Sequence, residues 1–262
     1  MSEEVVLLEI KDHIAHVTLN RPQTHNAFDE TVIAALSATW DKLAARDDVR
    51  AVVLTGRGKS FSAGGDLNWM KRAASYSEEQ NRKDAAELAA MLNKLYTLPH
   101  VTIACVQGAA FGGGLGLISC CDIVIAETDA VFALSEVKLG LIPATIGPYV
   151  LRAMGERQFR RYALTGERFT GQRAYEIGLV HEVTKRTDDT HLILNALLKD
   201  IANGAPRART AAKKLALDIA GRPITAELIS DTASRIAKIR SGAEAAEGVA
   251  AFFEKRKAGW VK

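Results

Sequence analysis

The sequence contains no apolar run approaching the roughly eighteen residues that a membrane-spanning helix requires, so no span is expected. Its first residues include Glu3, Glu4, Glu9 and Lys11 instead of a basic stretch followed by an apolar one, and no export signal is expected either. Cysteine is scarce. Cys105, Cys120 and Cys121 are odd in number, sit in apolar segments and lack metal-ligand spacing. This argues against a disulfide framework or a metal site and predicts buried thiols in a reducing cytoplasm. An excess of one charge is missing too. The formal net charge is +3 with no dense basic stripe, so neither nucleic acid nor a membrane is an expected partner.

Several catalytic signatures are also absent. Gly58-Lys59-Ser60 ends like a phosphate-binding P-loop, but Val53 stands where its first glycine must be. The run Gly112-Gly113-Gly114-Leu115-Gly116 does not fit G-x-G-x-x-G, because the last position falls on Leu117, and no acidic residue completes a dinucleotide-binding unit. No G-x-S-x-G marks a serine nucleophile. The six histidines form no H-E-x-x-H, and His181-Glu182 is a lone pair on a predicted strand. What remains is the composition of an ordinary globular protein, 25% charged and 48% hydrophobic, with enough length to bury a full core.

The hydropathy pattern predicts an α/β fold. Val5 to Ile10 and Ile14 to Leu19 read as two strands joined by a short turn. Residues 29–46 read as a helix capped by Asp29, with Ala34, Ala35, Leu36, Trp40 and Leu43 on its apolar stripe. Ser77 to Thr97 is amphipathic, with Ser77 and Gln80 at capping-box spacing. Short buried strands are expected at Ala51 to Leu54, Val101 to Val106, Ile123 to Ala126 and Val131 to Leu134. From about Thr187 the strands stop, and 188–203, 206–218, 224–240 and 242–256 read as successive helices. A core domain over 1–203 and a helical region over 204–262 are therefore expected.

Two glycine-rich turns stand out: Phe61-Ser62-Ala63-Gly64-Gly65-Asp66 and Gly108-Ala109-Ala110-Phe111-Gly112-Gly113-Gly114-Leu115-Gly116. Each follows a strand-like run and opens into a helix start. Glycine allows close backbone approach, and a helix N-terminus leaves amide N–H groups free. Two such turns meeting at one point would hold a developing oxyanion between two amide donors. Read alone, either turn is also explained as a tight connection without chemistry. Glu136 lies between Phe132-Ala133-Leu134 and Leu139-Gly140-Leu141-Ile142-Pro143. Partial desolvation there would raise its pKa towards the range useful for proton transfer. A solvated helix-start glutamate or a structural ion pair are the other readings of the same residues.

These turns, with Cys121-Asp122-Ile123, Ser135-Glu136-Val137, the opening Leu19-Asn20-Arg21-Pro22 and Asn26-Ala27-Phe28, and the closing Ala251-Phe252-Phe253-Glu254-Lys255, resemble the crotonase (enoyl-CoA hydratase/isomerase) superfamily. Order and spacing match over nearly the whole chain. The resemblance implies a spiral of β-β-α turns followed by a helical C-terminal region used in trimerisation, giving a homotrimer or a hexamer. It implies an acyl-CoA substrate with no further cofactor, CoA being part of the substrate. It implies Glu136 as catalytic acid/base and the N–H groups of Gly65 and Gly113 as oxyanion donors. Ala63 matches the adenine-side contact, Gln23 and Thr24 the pyrophosphate and pantetheine segment, and Phe252 and Lys255 the residues that cover CoA. Gly112, Gly116, Asp66, Leu67 and Trp69 complete the expected substrate contacts. Trp69 and Met70 are candidate acyl-pocket walls or ordinary core residues, Asp66 is also read as a helix N-cap, and Asp122 as structural.

The sequence departs from the family at Gly116, where many hydratases carry a second catalytic glutamate. The segments Asp66-Leu67-Asn68-Trp69-Met70-Lys71 and Gly114-Leu115-Gly116-Leu117-Ile118-Ser119-Cys120-Cys121 are similar to bacterial methylglutaconyl-CoA hydratases and their isoprenoid-chain relatives, a subgroup with a small residue there. A void beside Gly116, walled by Leu115 and Leu117, is expected to take a branched or carboxylated acyl chain, with Lys71, Arg72 or Arg152 as candidate partners for a distal carboxylate. The expected activity is hydration of an enoyl-CoA such as 3-methylglutaconyl-CoA. A Δ3,Δ2-enoyl-CoA isomerase, which needs one proton shuttle, is the alternative. An acyl-CoA- or RNA-binding protein without catalysis is a reading of another class.

Overall fold

The structure is a computed structural model that describes residues 4–261. In chain order its elements are β1 (Val6–Lys11), β2 (Ile14–Leu19), α1 (Glu30–Ala44), β3 (Ala51–Gly56), α2 (Leu67–Ala73), α3 (Glu78–Tyr96), β4 (Val101–Val106), β5 (Ala109–Phe111) and α4 (Gly113–Ser119). They continue with β6 (Ile123–Glu127), β7 (Val131–Ala133), α5 (Gly147–Met154), α6 (Glu156–Thr165), β8 (Arg168–Thr170), α7 (Gly171–Glu176) and β9 (Glu182–Thr184). Four longer helices follow: α8 (Thr187–Asn203), α9 (Pro206–Ile219), α10 (Ala226–Arg240) and α11 (Ala243–Phe253). Short 3₁₀ turns cover Pro22–Thr24 and Glu136–Leu139. The chain divides into two compact units at Leu194/Asn195, inside α8 and not at the predicted 203/204 boundary.

The first unit carries two sheets. One has six strands in the order β1-β2-β3-β4-β6-β9, antiparallel at β1/β2 and parallel from β2 onward. The other has three strands in the order β5-β7-β8. The chain runs from the large sheet to the small sheet to a helix and back, as β4-β5-α4 and again as β6-β7-α5. This is the expected repeating β-β-α path. Parallel central strands are buried on both faces, which explains why Ala51-Val52-Val53-Leu54 is continuously apolar and buried.

Local chemistry sets the helix ends. Asp29 accepts the Val32 N–H at the start of α1. Ser77 and Gln80 form the predicted capping box at the start of α3, each side chain bonding the other residue's backbone. Leu36, Trp40 and Leu43 bury the inner face of α1, and Met91, Leu92 and Leu95 that of α3. Asp122 is structural as expected: its carboxylate accepts both the N–H and the hydroxyl of Thr102. Cys105 and Cys120 are buried while Cys121 is half-buried, and burial pushes the Cys105 thiol up to about 12. No helix among the described residues is long and apolar enough to cross a membrane.

The connection from β4 into β5 depends on Gly108. It takes φ +57°, and a Cβ there would overlap the carbonyl of Lys59. Gly108→Ala is therefore expected to destabilise the first unit by more than the roughly 1–3 kcal/mol of a strained backbone alone, read as a fall in the urea midpoint with an unchanged m-value.

Candidate active site

Three segments converge through the backbone. The second glycine turn lies beside the first because Ser62 N–H donates to Ala109 O at 3.0 Å and Phe111 N–H donates to Ser62 O at 3.0 Å. Ser62 thereby extends the small sheet through its bridge to Ala110. The segment before α1 lies on the other side. Phe28 N–H donates to Gly64 O, and Asp66 N–H donates to Phe28 O, both at 2.7 Å. Gly112 N–H donates to Ala133 O at 3.1 Å, tying the second turn to the strand that leads to Glu136.

This ladder leaves Gly65 and Gly113 in a distinctive position. Gly64, Asp66, Gly112 and Gly114 are buried, but Gly65 and Gly113 are each partly exposed between them. Gly113 is the first residue of α4, where an amide has no partner within the helix. Neither the Gly65 nor the Gly113 N–H has an acceptor among the described residues. Gly112 adopts φ +45°, which aims the chain into α4. A Cβ on Gly112 would lie 3.1 Å from Glu136 Oε1 and 4.0 Å from Gly64 Cα. The two turns and Glu136 therefore share one small space, as the sequence suggested.

Glu136 opens the 3₁₀ turn Glu136–Leu139, which ends at Gly140 in the left-handed region. Its Oε2 is buried with no hydrogen-bond partner among the described residues. Burial raises its pKa above the usual carboxylate range, opposed only by a bond to its own backbone. Among the described residues no cation pairs with this half-buried carboxylate, so the structural ion pair is not what the structure shows.

Other expected residues have different placements. Asp66 is the helix N-cap that the sequence suggests: its carboxylate caps α2, accepting from the Asn68 and Trp69 amides, and also pairs with Arg21 at 3.1 Å. Burial alone would raise its pKa, but those amides and the guanidinium outweigh it and hold it low. With its N–H also engaged by Phe28, no hydrogen of Asp66 is left for substrate. Arg21 joins the caps of two helices, since it also pairs with Asp29 at 2.8 Å. Trp69 is half-buried against the core, and its indole N–H donates to Asp84 at 3.2 Å. Met70 Cγ and Sδ lie 3.3 Å from where a Cβ on Gly65 would stand. Leu67 is 79% exposed. Gln23 is exposed and Thr24 half-buried in the 3₁₀ turn before α1, and Ala63 is half-buried with its N–H on His25 O. Phe252 and Lys255 are exposed at the end of the second unit.

The expected void beside Gly116 is absent. Gly116 is buried, and a Cβ there would lie 2.3 Å from Ile146 Cγ2 and 2.9 Å from Ile146 Cβ, with Leu92 at 3.8 Å. Ile146, 2% exposed at the start of α5, fills that room, and Leu115 and Leu117 are core residues. Arg72, one candidate partner for a distal carboxylate, pairs with Glu30 at 2.5 and 2.7 Å. Nothing in the local sequence around Gly116 signals Ile146, thirty residues away. No group of three or more His, Cys, Asp or Glu among the described residues is arranged to hold a metal ion.

The same fold recurs in solved structures. An enoyl-CoA hydratase from Shewanella pealeana is 42% identical, covering 98% of this chain and 96% of that one with a TM-score of 0.94. Pseudomonas aeruginosa AtuE is 37% identical, covering 99% and 100% with a TM-score of 0.95. A curated relative, (E)-benzylidenesuccinyl-CoA hydratase of Thauera aromatica, is 33% identical over 81% of this chain and 82% of its own. Residues 9–262 match the model of the family described as enoyl-CoA hydratase/isomerase. The chain belongs to that family and is an enzyme of it.

The raised pKa of Glu136 has a consequence for stability. A carboxyl whose folded pKa is raised stabilises the fold fully at pH below its unfolded value, and that contribution is lost as pH rises through the folded value. Glu136→Gln, which cannot ionise, is thus expected to raise Tm above that of wild type at neutral pH. The advantage should vanish at pH below the ordinary glutamate range. Paired melting curves at the two pH values check it.

Proposed function

We propose that the protein adds water across the double bond of an enoyl-CoA, with the Gly65 and Gly113 amides holding the enolate oxygen and Glu136 moving the proton. The observation that carries this reading is the pair of unsatisfied, partly exposed glycine amides beside one unpaired buried carboxylate. The thioester oxygen is placed between the two N–H groups. Attack of water on the β-carbon sends electrons to that oxygen, and the donors oppose the charge as it forms. Glu136 takes a proton from the water and delivers one to the α-carbon. No electrons leave the substrate, so the chemistry calls for no redox cofactor. Gln23, Thr24 and Ala63 are the proposed CoA contacts of the first unit, whose binding energy positions the acyl group, and Phe252 and Lys255 are proposed to cover CoA from a neighbouring copy.

The substrate subclass, a 3-methylglutaconyl-type or isoprenoid-type thioester, rests on sequence resemblance, because Ile146 occupies the space that argued for a branched chain. Gly116 favours a second reading. It puts no carboxylate at that position, and one glutamate suffices to carry a proton between two carbons in a Δ3,Δ2-isomerisation. A panel of enoyl-CoAs incubated in ¹⁸O-water separates the two. A mass gain on the product supports hydration; rearrangement without label contradicts it in favour of isomerisation. In either reaction Glu136→Gln should lose about 10²–10⁴-fold in turnover, and near-native turnover of the folded variant would remove Glu136 from the chemistry.

We propose a homotrimer, alone or paired into a hexamer, as the working form. Ile229, Ile236 and Phe253 are 58%, 48% and 77% exposed, a load of apolar surface that association would cover. Leu228, on the same helix as Ile229 and Ile236, is buried. Sedimentation at micromolar concentration is expected to show three or six copies, and a stable monomer would contradict the proposal.

A further inference from the structure

Phe28 touches both glycine turns, by different means. Its backbone brackets Gly65: the Phe28 N–H bonds the residue before it and the Phe28 C=O bonds the residue after it, each at 2.7 Å. Its ring reaches the other turn. A Cβ on Gly113 would lie 2.8 Å from Phe28 Cδ2 and 2.9 Å from Cε2, so the ring edge rests directly against the Gly113 backbone. Phe28 is 1% exposed and packed in the core, and its chain neighbours are tied down. Asn26 holds Arg57 O and Ser60 O through its amide, and Asp29 caps α1 while pairing with Arg21. The ring has little freedom to retreat.

We propose that Phe28 is a positioning residue that sets the separation of the two amide donors: its backbone fixes Gly65 and its ring is the spacer against Gly113. The inference rests on the two-amide reading above and adds the residue that tunes it. The three atoms nearest to a Cβ placed on Gly113 all belong to the Phe28 ring. It also gives a reason for glycine at 113 beyond a free N–H. Any side chain there would push the ring and the turn apart.

The ring is dispensable for the backbone bracket, because the N–H and C=O of residue 28 survive substitution. Phe28→Leu should leave Gly65 in place and loosen only Gly113. The expected result is a loss of about tenfold to 10²-fold in kcat, the scale of a small misplacement at a reacting centre, with KM changed less than threefold. Gly113→Ala presses on the same contact from the opposite side and should also lose kcat. Combining the two, Phe28→Leu with Gly113→Ala, should recover at least part of the single-variant loss, since the shorter side chain admits the methyl group.

The direct readout is the infrared stretch of a ¹³C-labelled thioester carbonyl in enoyl-CoA bound to Glu136→Gln, used as the slow background. A downshift on binding to that background, reduced by Phe28→Leu, supports the proposal. A downshift that Phe28→Leu leaves unchanged overturns the role of Phe28 and leaves the two-amide reading standing. No downshift in the background protein overturns the two-amide reading and the proposal with it. If Phe28→Leu fails to fold, Gly113→Ala in the same background carries the test. A downshift it leaves intact overturns the proposal, and a reduced one that the double variant does not restore also overturns it.

Discussion

Phe28 and Gly64–Asp66 are joined by two short backbone hydrogen bonds, and Ser62 is joined to β5 by two more. Those four bonds hold three chain segments edge to edge where no long strand exists. Because they use the amides of Phe28, Asp66, Ser62 and Phe111, they leave those of Gly65 and Gly113 over. An amide left without a partner is costly if it is buried and useful if a ligand supplies the partner. The partial exposure of these two glycines between buried neighbours resolves that conflict. The arrangement depends on absent side chains as much as on present ones. A Cβ would strike Phe28 from Gly113 and Ser62 from Gly114.

Glu136 faces the same conflict with a charge in place of a dipole. Its Oε2 lacks a partner and its pKa is raised by burial, so its ionised form weakens the fold. Arg21 shows the opposite arrangement nearby. There, Asp29 and Asp66 share one guanidinium and the start of each helix, which keeps both carboxylates engaged. In the proposed reaction the first set of groups acts on the ligand, while the second ties the two helix starts together. An engaged carboxylate thus follows Gly65 directly, while an unpartnered one lies beside Gly112.

The sequence shows most of this frame. The cap at Asp29, the capping box at Ser77 and Gln80 and the buried strand β3 each have a local signature in residue type or period. Both glycine turns and Glu136 are visible for the same reason. The short strands β5 and β8 are not: β5 lies inside the glycine turn, and β8 holds one apolar residue, Phe169, whereas the equally short β7 runs on into the apolar Leu134. Contacts between distant segments are hidden as well. Gly116 looks like spare room when read with its neighbours, yet Ile146 fills it. Leu115 and Leu117 look like pocket walls and are core residues of α4. Phe28 is conspicuous only as a large apolar residue before a helix, and its ring contact with Gly113 exists only once β5 pairs with Ser62.

In the proposed reaction the Gly65 and Gly113 N–H groups find their acceptor in a substrate carbonyl. Amide proton shifts report that event residue by residue. In protein labelled with ¹⁵N-glycine, addition of a saturated acyl-CoA, which offers the thioester carbonyl without a double bond to hydrate, should move the Gly65 and Gly113 amide protons downfield together. The Gly171 amide, already bonded to Ala130 O, should stay in place. Binding that leaves both the Gly65 and Gly113 signals unmoved would contradict the central claim.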